Sequence, residues 1–421
     1  MNPNRPRYKW ELLGILWVAY FLNQGDRQIY NAVLSLIKAD LGLSDVQLGL
    51  VVTVFTVLYG VFVPVAGCLG DFVSKKWIVC LSLLTFSVGT LCTGFSTGLL
   101  LLILFRSAAT GIGEAFYYPA ANSLIGQYHH ATRAQAMAIH QSSLYVGIVA
   151  SSWIAGWIGE LHGWRTAFYT FGSFGLLMAG VVALRLRNEH RDFAATATAT
   201  AATAPTPDTA TLREVLRGVL RTPTLYYLSL AFAGMVFVGV GFHTWMPMFL
   251  QEKFHLSVKS AALNSMLWHY LFAFIGVMVG GRVSDGLAAR RRTIRMEVEF
   301  LGLLLGAPFI WLMGTSGSLT LVYAALAGFG FFRGLYDSNL FAALFDVIAP
   351  KHRSSATGLM LSCAFTVGAT SPVLLGYVKQ RISLDLGLSS LAFVYLLGAV
   401  LIFLAMKTCF TRDFREEIPG T

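Results

Sequence analysis

The stretch GCLGDFVSKKW, residues 67–77, closes one long apolar run and opens the next. It packs one acid, Asp71, and two lysines, Lys75 and Lys76, into a short turn. A related stretch, GGRVSDGLAARRR, occupies residues 280–292, with Asp285 in the place of Asp71 and a basic tail at 290–292. A second pair repeats as well: YHHATRAQAMAI at 128–139 matches IAPKHRSSATGLM at 348–360, and Arg133 aligns with Arg353. The offsets are 214 residues (71 to 285) and 220 residues (133 to 353) in a chain of 421. A period of half the chain describes two copies of one large unit, as in membrane carriers built from parallel repeats.

Around these turns the chain is apolar, at 56% hydrophobic and 12% charged residues, with a mean hydropathy of +0.64. A soluble domain carries about 25% charged residues. Apolar runs of about 20 residues, enough to cross a bilayer core of about 30 Å, recur along the sequence. They predict spans near 11–36, 47–69, 77–95, 99–125, 134–157 and 165–185. A second set is predicted near 224–250, 260–283, 296–314, 319–347, 355–379 and 388–408. The alternating pattern of a membrane β-barrel is absent. The expected fold is therefore all-α and integral to the membrane, with 12 transmembrane helices in two pseudo-symmetric six-helix bundles.

Those bundles are expected at 1–186 and 223–421, joined by a cytoplasmic linker at 187–222. The Ala/Thr/Pro run in the linker cannot bury a core. Its last part, LREVLRGVL at 212–220, reads as a short amphipathic helix on the membrane surface.

A net charge of +10 raises the question of a nucleic-acid partner. The placement of the basic residues argues against one, because they sit in short loops and no nucleic-acid motif accompanies them. Of the 31 Lys and Arg residues, 22 fall on one side of the predicted spans and 6 on the other. The positive-inside rule then puts both termini in the cytoplasm. The other three, Arg27, Arg106 and Arg333, lie within spans. The five cysteines stand singly, without metal or disulfide spacing. MNPNRPRYKW is basic, but the apolar run after it holds Asp26 and Arg27 and lacks a small-residue cleavage site, so a cleaved signal peptide is not expected.

The turn at 67–77 resembles the major facilitator superfamily, whose loop after the second helix reads roughly G-x-L-x-D-R-x-G-R-R/K. Gly67, Leu69, Asp71, Lys75 and Lys76 match, whereas Phe72 and Ser74 replace the family's Arg and Gly. The weaker copy keeps Gly281, Asp285 and the basic tail. The resemblance covers nearly the whole chain. It implies a carrier working by alternating access, in which Asp71, Asp285, Lys75 and Lys76 are ion-pair or gating residues that latch one conformation; the alternative for the two lysines is that they only obey the positive-inside rule.

A narrower resemblance rests on GDRQIY at 25–30 and GIGEAFYYPAANSLI at 111–125. A D-R pair in helix 1 and G-x-G-E-A in helix 4 are similar to the anion:cation symporter branch, which includes sugar-acid symporters. The Spinster-like lipid carriers share both signals. The first branch implies proton-coupled symport of a small organic anion, a sugar acid or carboxylate, across a bacterial inner membrane. The second implies a lysolipid or another amphipathic compound. A monomer is expected, with the lipid bilayer as its surroundings and no cofactor beyond the coupling ion, H+. Both branches place an Arg seven residues before the Glu, but Arg106 lies eight before Glu114. One extra residue turns Arg106 by about 100° on an ideal helix, unless a bulge absorbs it.

A charge at mid-bilayer costs roughly 2.5–3.5 kcal/mol even on lenient insertion scales, so these residues must face a cavity or a partner. Asp26 and Glu114 are the candidate proton sites, and Arg27 is the candidate fixed cation for the anion. Desolvation favours a neutral carboxyl while a nearby guanidinium favours the charged one, and that competition would couple the two ligands. The alternative is a structural ion pair among Arg27, Glu114 and Arg106. In FFRGLYDSNLF, residues 331–341, Arg333 and Asp337 stand four apart on one helix face. They are either an intrahelical pair or a second anion contact, with Asn339 as polar lining. His243, in GFHTWMP, lies near the repeat counterpart of Asp26 and Arg27 and can donate to a substrate or titrate near neutral pH. Tyr30 and Tyr117 are added as substrate contacts from their proximity to the charges. Pro119 is expected to kink helix 4. No phosphate-binding loop, Ser-His-Asp set, His-Glu-x-x-His motif or cysteine-based site is present, so an enzyme and a metal centre are not expected.

Overall fold

The computed structural model describes residues 6–69, 73–129, 132–187, 221–288, 290–349 and 352–415. The linker, its amphipathic segment and Asp71 lie outside the described residues, apart from 187, 221 and 222. The described residues fold into helices joined by short turns. In chain order they begin with α1 (Pro6–Ala32), α2 (Leu34–Leu41), α3 (Asp45–Leu69), α4 (Lys75–Thr93) and α5 (Leu99–Leu102). After a π-helical segment, Ile103–Ala109, come α6 (Thr110–Ala115), α7 (Tyr117–Tyr128), α8 (Arg133–His162) and α9 (Trp164–Arg185). The second half holds α10 (Pro223–Phe254), α11 (Val258–Ala288), α12 (Ile294–Thr315) and α13 (Leu319–Val347). It ends with α14 (Arg353–Gly368), α15 (Ser371–Arg381) and α16 (Leu384–Thr408).

Among the described residues, eleven helical stretches are long and apolar enough to cross a membrane, with α5–α7 and α14–α15 each continuing as one. The twelfth crossing is α1, which carries Asp26, Arg27 and several amides and so falls short on apolar character alone. Packing keeps it in the bundle, because Leu12, Leu13, Leu16, Ala19 and Ile29 are almost fully buried. The outer surface carries residues such as Leu100, Leu177, Leu184 and Phe393, which are more than half exposed. In lipid, such an apolar face costs nothing, while the backbone bonds are satisfied inside each helix.

The chain divides into two compact units. The first holds the helices up to α9 apart from Leu48–Thr53, together with Leu256–Leu263; the second holds the rest. Two crossings are interrupted a few residues ahead of a proline. A proline ring excludes the carbonyl four residues earlier, and the helix breaks at Phe116 before Pro119 and at Ala369–Thr370 before Pro372. The helix containing Asp26 continues past the predicted end, through α2, until Gly42 stops it in the left-handed region (φ 62°).

Candidate functional site

Adjacent residues on a helix diverge by about 100°, so Asp26 and Arg27 turn to different partners within the first unit. Arg27 Nε donates to Glu114 Oε2 on α6 at 2.6 Å, with the Glu114 side chain inaccessible and that of Arg27 24% exposed. The Arg27 guanidinium also lies over the Tyr59 ring, 4.2 Å from its centroid. Asp26 is buried and accepts from Thr90 Oγ1 on α4 at 2.8 Å.

Arg106 joins the same cluster. It is buried, donates through Nη2 to the backbone carbonyl of Arg27 at 3.4 Å, and stacks 4.5 Å from the Phe55 centroid. The Tyr30 ring lies 5.7 Å from this guanidinium. Arg106 Nε and Nη1, and Glu114 Oε1, have no hydrogen-bond partner among the described residues. The cluster therefore keeps two donors and one acceptor unspent in an apolar setting, where unmade bonds are costly.

The extra residue between Arg106 and Glu114 is taken up by the π-helical segment Ile103–Ala109. A π turn holds one more residue than an α turn, so the helix beyond it keeps its register. Thr110 Oγ1 donates to the Phe105 carbonyl at 3.0 Å across this turn. Gly89 on α4 lies against it, since a Cβ there would fall 2.8 Å from Thr110 Oγ1 and 3.0 Å from the Phe105 carbonyl oxygen. Gly113 does the same from the other side, with a Cβ position 2.7 Å from the Phe86 nitrogen. This close approach of α4 is what carries Thr90, next to Gly89, to Asp26.

Tyr117 stands three residues after Glu114 and stacks on Tyr20 of α1. Its hydroxyl donates to the Leu16 carbonyl at 2.5 Å and lies 3.3 Å from His140 Nε2, and the residue is fully buried. It ties α7 to α1 and α8, and its hydroxyl is committed to that task.

In the second unit, Arg333 Nε and Asp337 Oδ2 are 3.4 Å apart, as their spacing of four predicts. Arg333 Nη1 lies 3.5 Å from His269 Nε2. Gly239 on α10 leaves room for this guanidinium, because a Cβ there would be 3.3 Å from Nη1. His243 Nε2 pairs with the Tyr270 hydroxyl at 2.8 Å. Asn339, expected as polar lining, is buried, and its amide nitrogen bonds Ser338 Oγ at 2.9 Å and the Leu335 carbonyl at 3.3 Å, within its own helix. At the loop motifs, Lys75 and Lys76 open α4, and Asp285 is exposed in the last turn of α11.

Sequence reading passed over Thr90, which shows no signal beyond a hydroxyl in an apolar span, and Glu299, which does. Glu299 is an acid in the second turn of α12, fully buried, and neither carboxyl oxygen has a hydrogen-bond partner among the described residues. Counting acids inside spans as carefully as bases would have found it.

These features describe a helical, multi-pass membrane protein with titratable side chains drawn to the interior of its first bundle. The model of the Major Facilitator Superfamily matches residues 16–372, and the chain belongs to that family. It is 28% identical to a probable sulfoacetate transporter of Cupriavidus necator, over 88% of this chain and 87% of that protein. It is 25% identical to the hexuronate transporter of Bacillus subtilis, over 96% and 95%. It is 26% identical to protein spinster homolog 1 of Xenopus tropicalis, over 89% and 74%. Among solved structures, a bacterial homolog of the human lysosomal transporter Spinster, inward-facing and unoccupied, superposes with a TM-score of 0.87. At 22% identity, with 98% and 99% of the two chains covered, that likeness speaks for the fold.

Proposed function

We propose that this chain is a secondary active carrier that moves a small organic anion, a sugar acid or another carboxylate, together with protons by alternating access. It works as a monomer in a bacterial inner membrane, with both termini in the cytoplasm and the linker at 187–222 joining bundles 1–186 and 223–421. One observation carries the reading: Arg27 is bound to Glu114 at 2.6 Å, beside an Arg106 that still has two unspent donors. An incoming carboxylate competes with Glu114 for Arg27, and the displaced Glu114 then becomes the group that takes a proton. Asp26, held by Thr90 rather than by an arginine, is the second proton carrier. The names of the sulfoacetate and hexuronate relatives support an anionic cargo.

Reconstituted vesicles test this. An inward proton gradient should drive accumulation of hexuronate, and uptake that is indifferent to collapsing the gradient would remove the coupling. The rival cargo is a lysolipid or another amphipathic compound, favoured by the similarity to the spinster homolog. The same vesicles supplied with labelled lysophosphatidylcholine separate the two, because a lysolipid carrier should move it across the bilayer and an organic-anion carrier should not.

A further inference from the structure

The second bundle holds a buried acid that the anion chemistry does not use. Glu299 stands in the second turn of α12, fully buried, and neither carboxyl oxygen has a hydrogen-bond partner among the described residues. Gly302 and Gly306 follow it by three and seven residues, on the same face of the helix. A Cβ at Gly302 would lie 3.1 Å from the backbone nitrogen of Tyr336 on α13, and one at Gly306 3.2 Å from the ring of Tyr395 on α16. These close approaches bring two tyrosines against that face. Both are buried, and neither hydroxyl has a partner among the described residues. Tyr336 lies within electrostatic reach of Glu299.

The cations nearby are engaged elsewhere. Arg295, one turn earlier on α12, donates through Nη1 to Asp346 Oδ1 near the end of α13. Its Nε has no partner among the described residues. Asp346 acts on Glu299 as a like charge. Arg291 pairs with Glu297 at 3.2 Å, and Thr293 Oγ1 donates to Glu297 at 2.6 Å. Lys407, near the end of α16, is exposed and lies 5.7 Å from the Phe403 centroid. Away from water, an ionised carboxylate without a partner costs far more than a neutral carboxyl, so such a group holds a proton instead.

We infer that Glu299 is a proton-binding site of the second bundle, controlled by the partner that Arg295 takes. While Arg295 is bound to Asp346, Glu299 carries its proton. Once Arg295 leaves Asp346, its guanidinium can receive Glu299 as a carboxylate, because residues four apart share a helix face. The O–H bond of Glu299 then breaks and the proton passes to water. One cation exchanged between two acids makes the junction of α12 and α13 sensitive to protons. The inference goes beyond the cargo reading, since it involves neither Arg27 nor an anion.

Infrared spectroscopy of the purified full-length protein reads the C=O stretch of protonated carboxyls with no substrate present. Near neutral pH, Glu299→Gln should lose the share of that band that one carboxyl gives. Asp346→Asn, which frees Arg295, should weaken the same component. Thermal unfolding reads the site independently. An acid that is neutral in the fold and ionised in the unfolded chain lowers stability progressively as pH rises. Glu299→Gln should therefore raise the unfolding midpoint more at about pH 8 than at about pH 5. A carboxyl band unchanged in folded Glu299→Gln shows that Glu299 is ionised and overturns the site. A band unchanged in Asp346→Asn overturns the control by Arg295. Glutamine is close in shape to the neutral acid, so a Glu299→Gln protein that fails to fold overturns the inference as well. None of these readings needs an anion to bind, and the cargo reading stands or falls separately.

Discussion

Arg27 and Glu114 lie 87 residues apart in sequence and share a 2.6 Å charge-assisted bond between α1 and α6. Removing one partner of a buried ion pair strands the other, at a cost of about 3–5 kcal/mol, whereas replacing both by apolar residues is often neutral. Arg27→Leu and Glu114→Leu should each lower the midpoint of thermal unfolding in detergent, and the double variant should recover most of the loss. Non-recovery in the double variant would show that the two residues do not act as a pair.

Transport should separate the two carboxyls from the arginine. Arg27→Ala should reduce anion affinity by about tenfold or more, the worth of a hydrogen bond to a charged group. Glu114→Gln and Asp26→Asn should keep substrate exchange across the membrane but lose accumulation driven by a proton gradient. Gradient-driven accumulation that survives in both carboxyl variants would mean that the proton is carried elsewhere, with the buried Glu299 the next group to examine.

The π-helical segment predicts an unusual tolerance. Because the wide turn at Ile103–Ala109 stores one surplus residue, deleting Ala108 should give a regular α-helix that still places Arg106 with Glu114. That deletion should keep the fold and measurable transport. Deleting Leu124 from the regular helix α7 should rotate everything beyond it and abolish both. Equal damage from the two deletions, seen in detergent stability and uptake, would argue that the bulge itself is required.

Helix approach at Gly113 should be equally sensitive. A Cβ there falls 2.7 Å from a backbone nitrogen, that of Phe86, which cannot swing aside. Gly113→Ala should push α4 outward, break the Thr90–Asp26 contact and lower both thermal stability and uptake. Gly14→Ala meets nothing within 4 Å and serves as the control.

Tyr117→Phe removes the hydroxyl bonded to the Leu16 carbonyl and keeps the ring. It should cost about 1 kcal/mol of stability, the usual net worth of one hydrogen bond. Anion affinity should stay as in the wild type. A large loss of affinity in a binding titration would return Tyr117 to the substrate site.

Much of this molecule is legible from the order of its residues. Membrane-length apolar runs, the half-chain repeat and the turn at 67–77 determine the helices and the family, because lipid permits few alternatives to a helix that satisfies its own backbone. Asp26, Arg27, Arg106 and Glu114 stand out for the same reason: a charge in an apolar span is costly wherever it points. Which charge meets which is another matter. The choice of Thr90 for Asp26 and Glu114 for Arg27 depends on how closely α4 and α6 approach α1. That distance is set by Gly89, Gly113 and a π turn whose one surplus residue reads as an error of spacing in the linear sequence. The local register of Arg106 became visible only in three dimensions, since a bulge is a property of backbone hydrogen bonds and of the helix packed against it. The same holds for Glu299: the sequence shows an acid in an apolar span, and only the packed bundle shows that neither of its oxygens has a partner among the described residues.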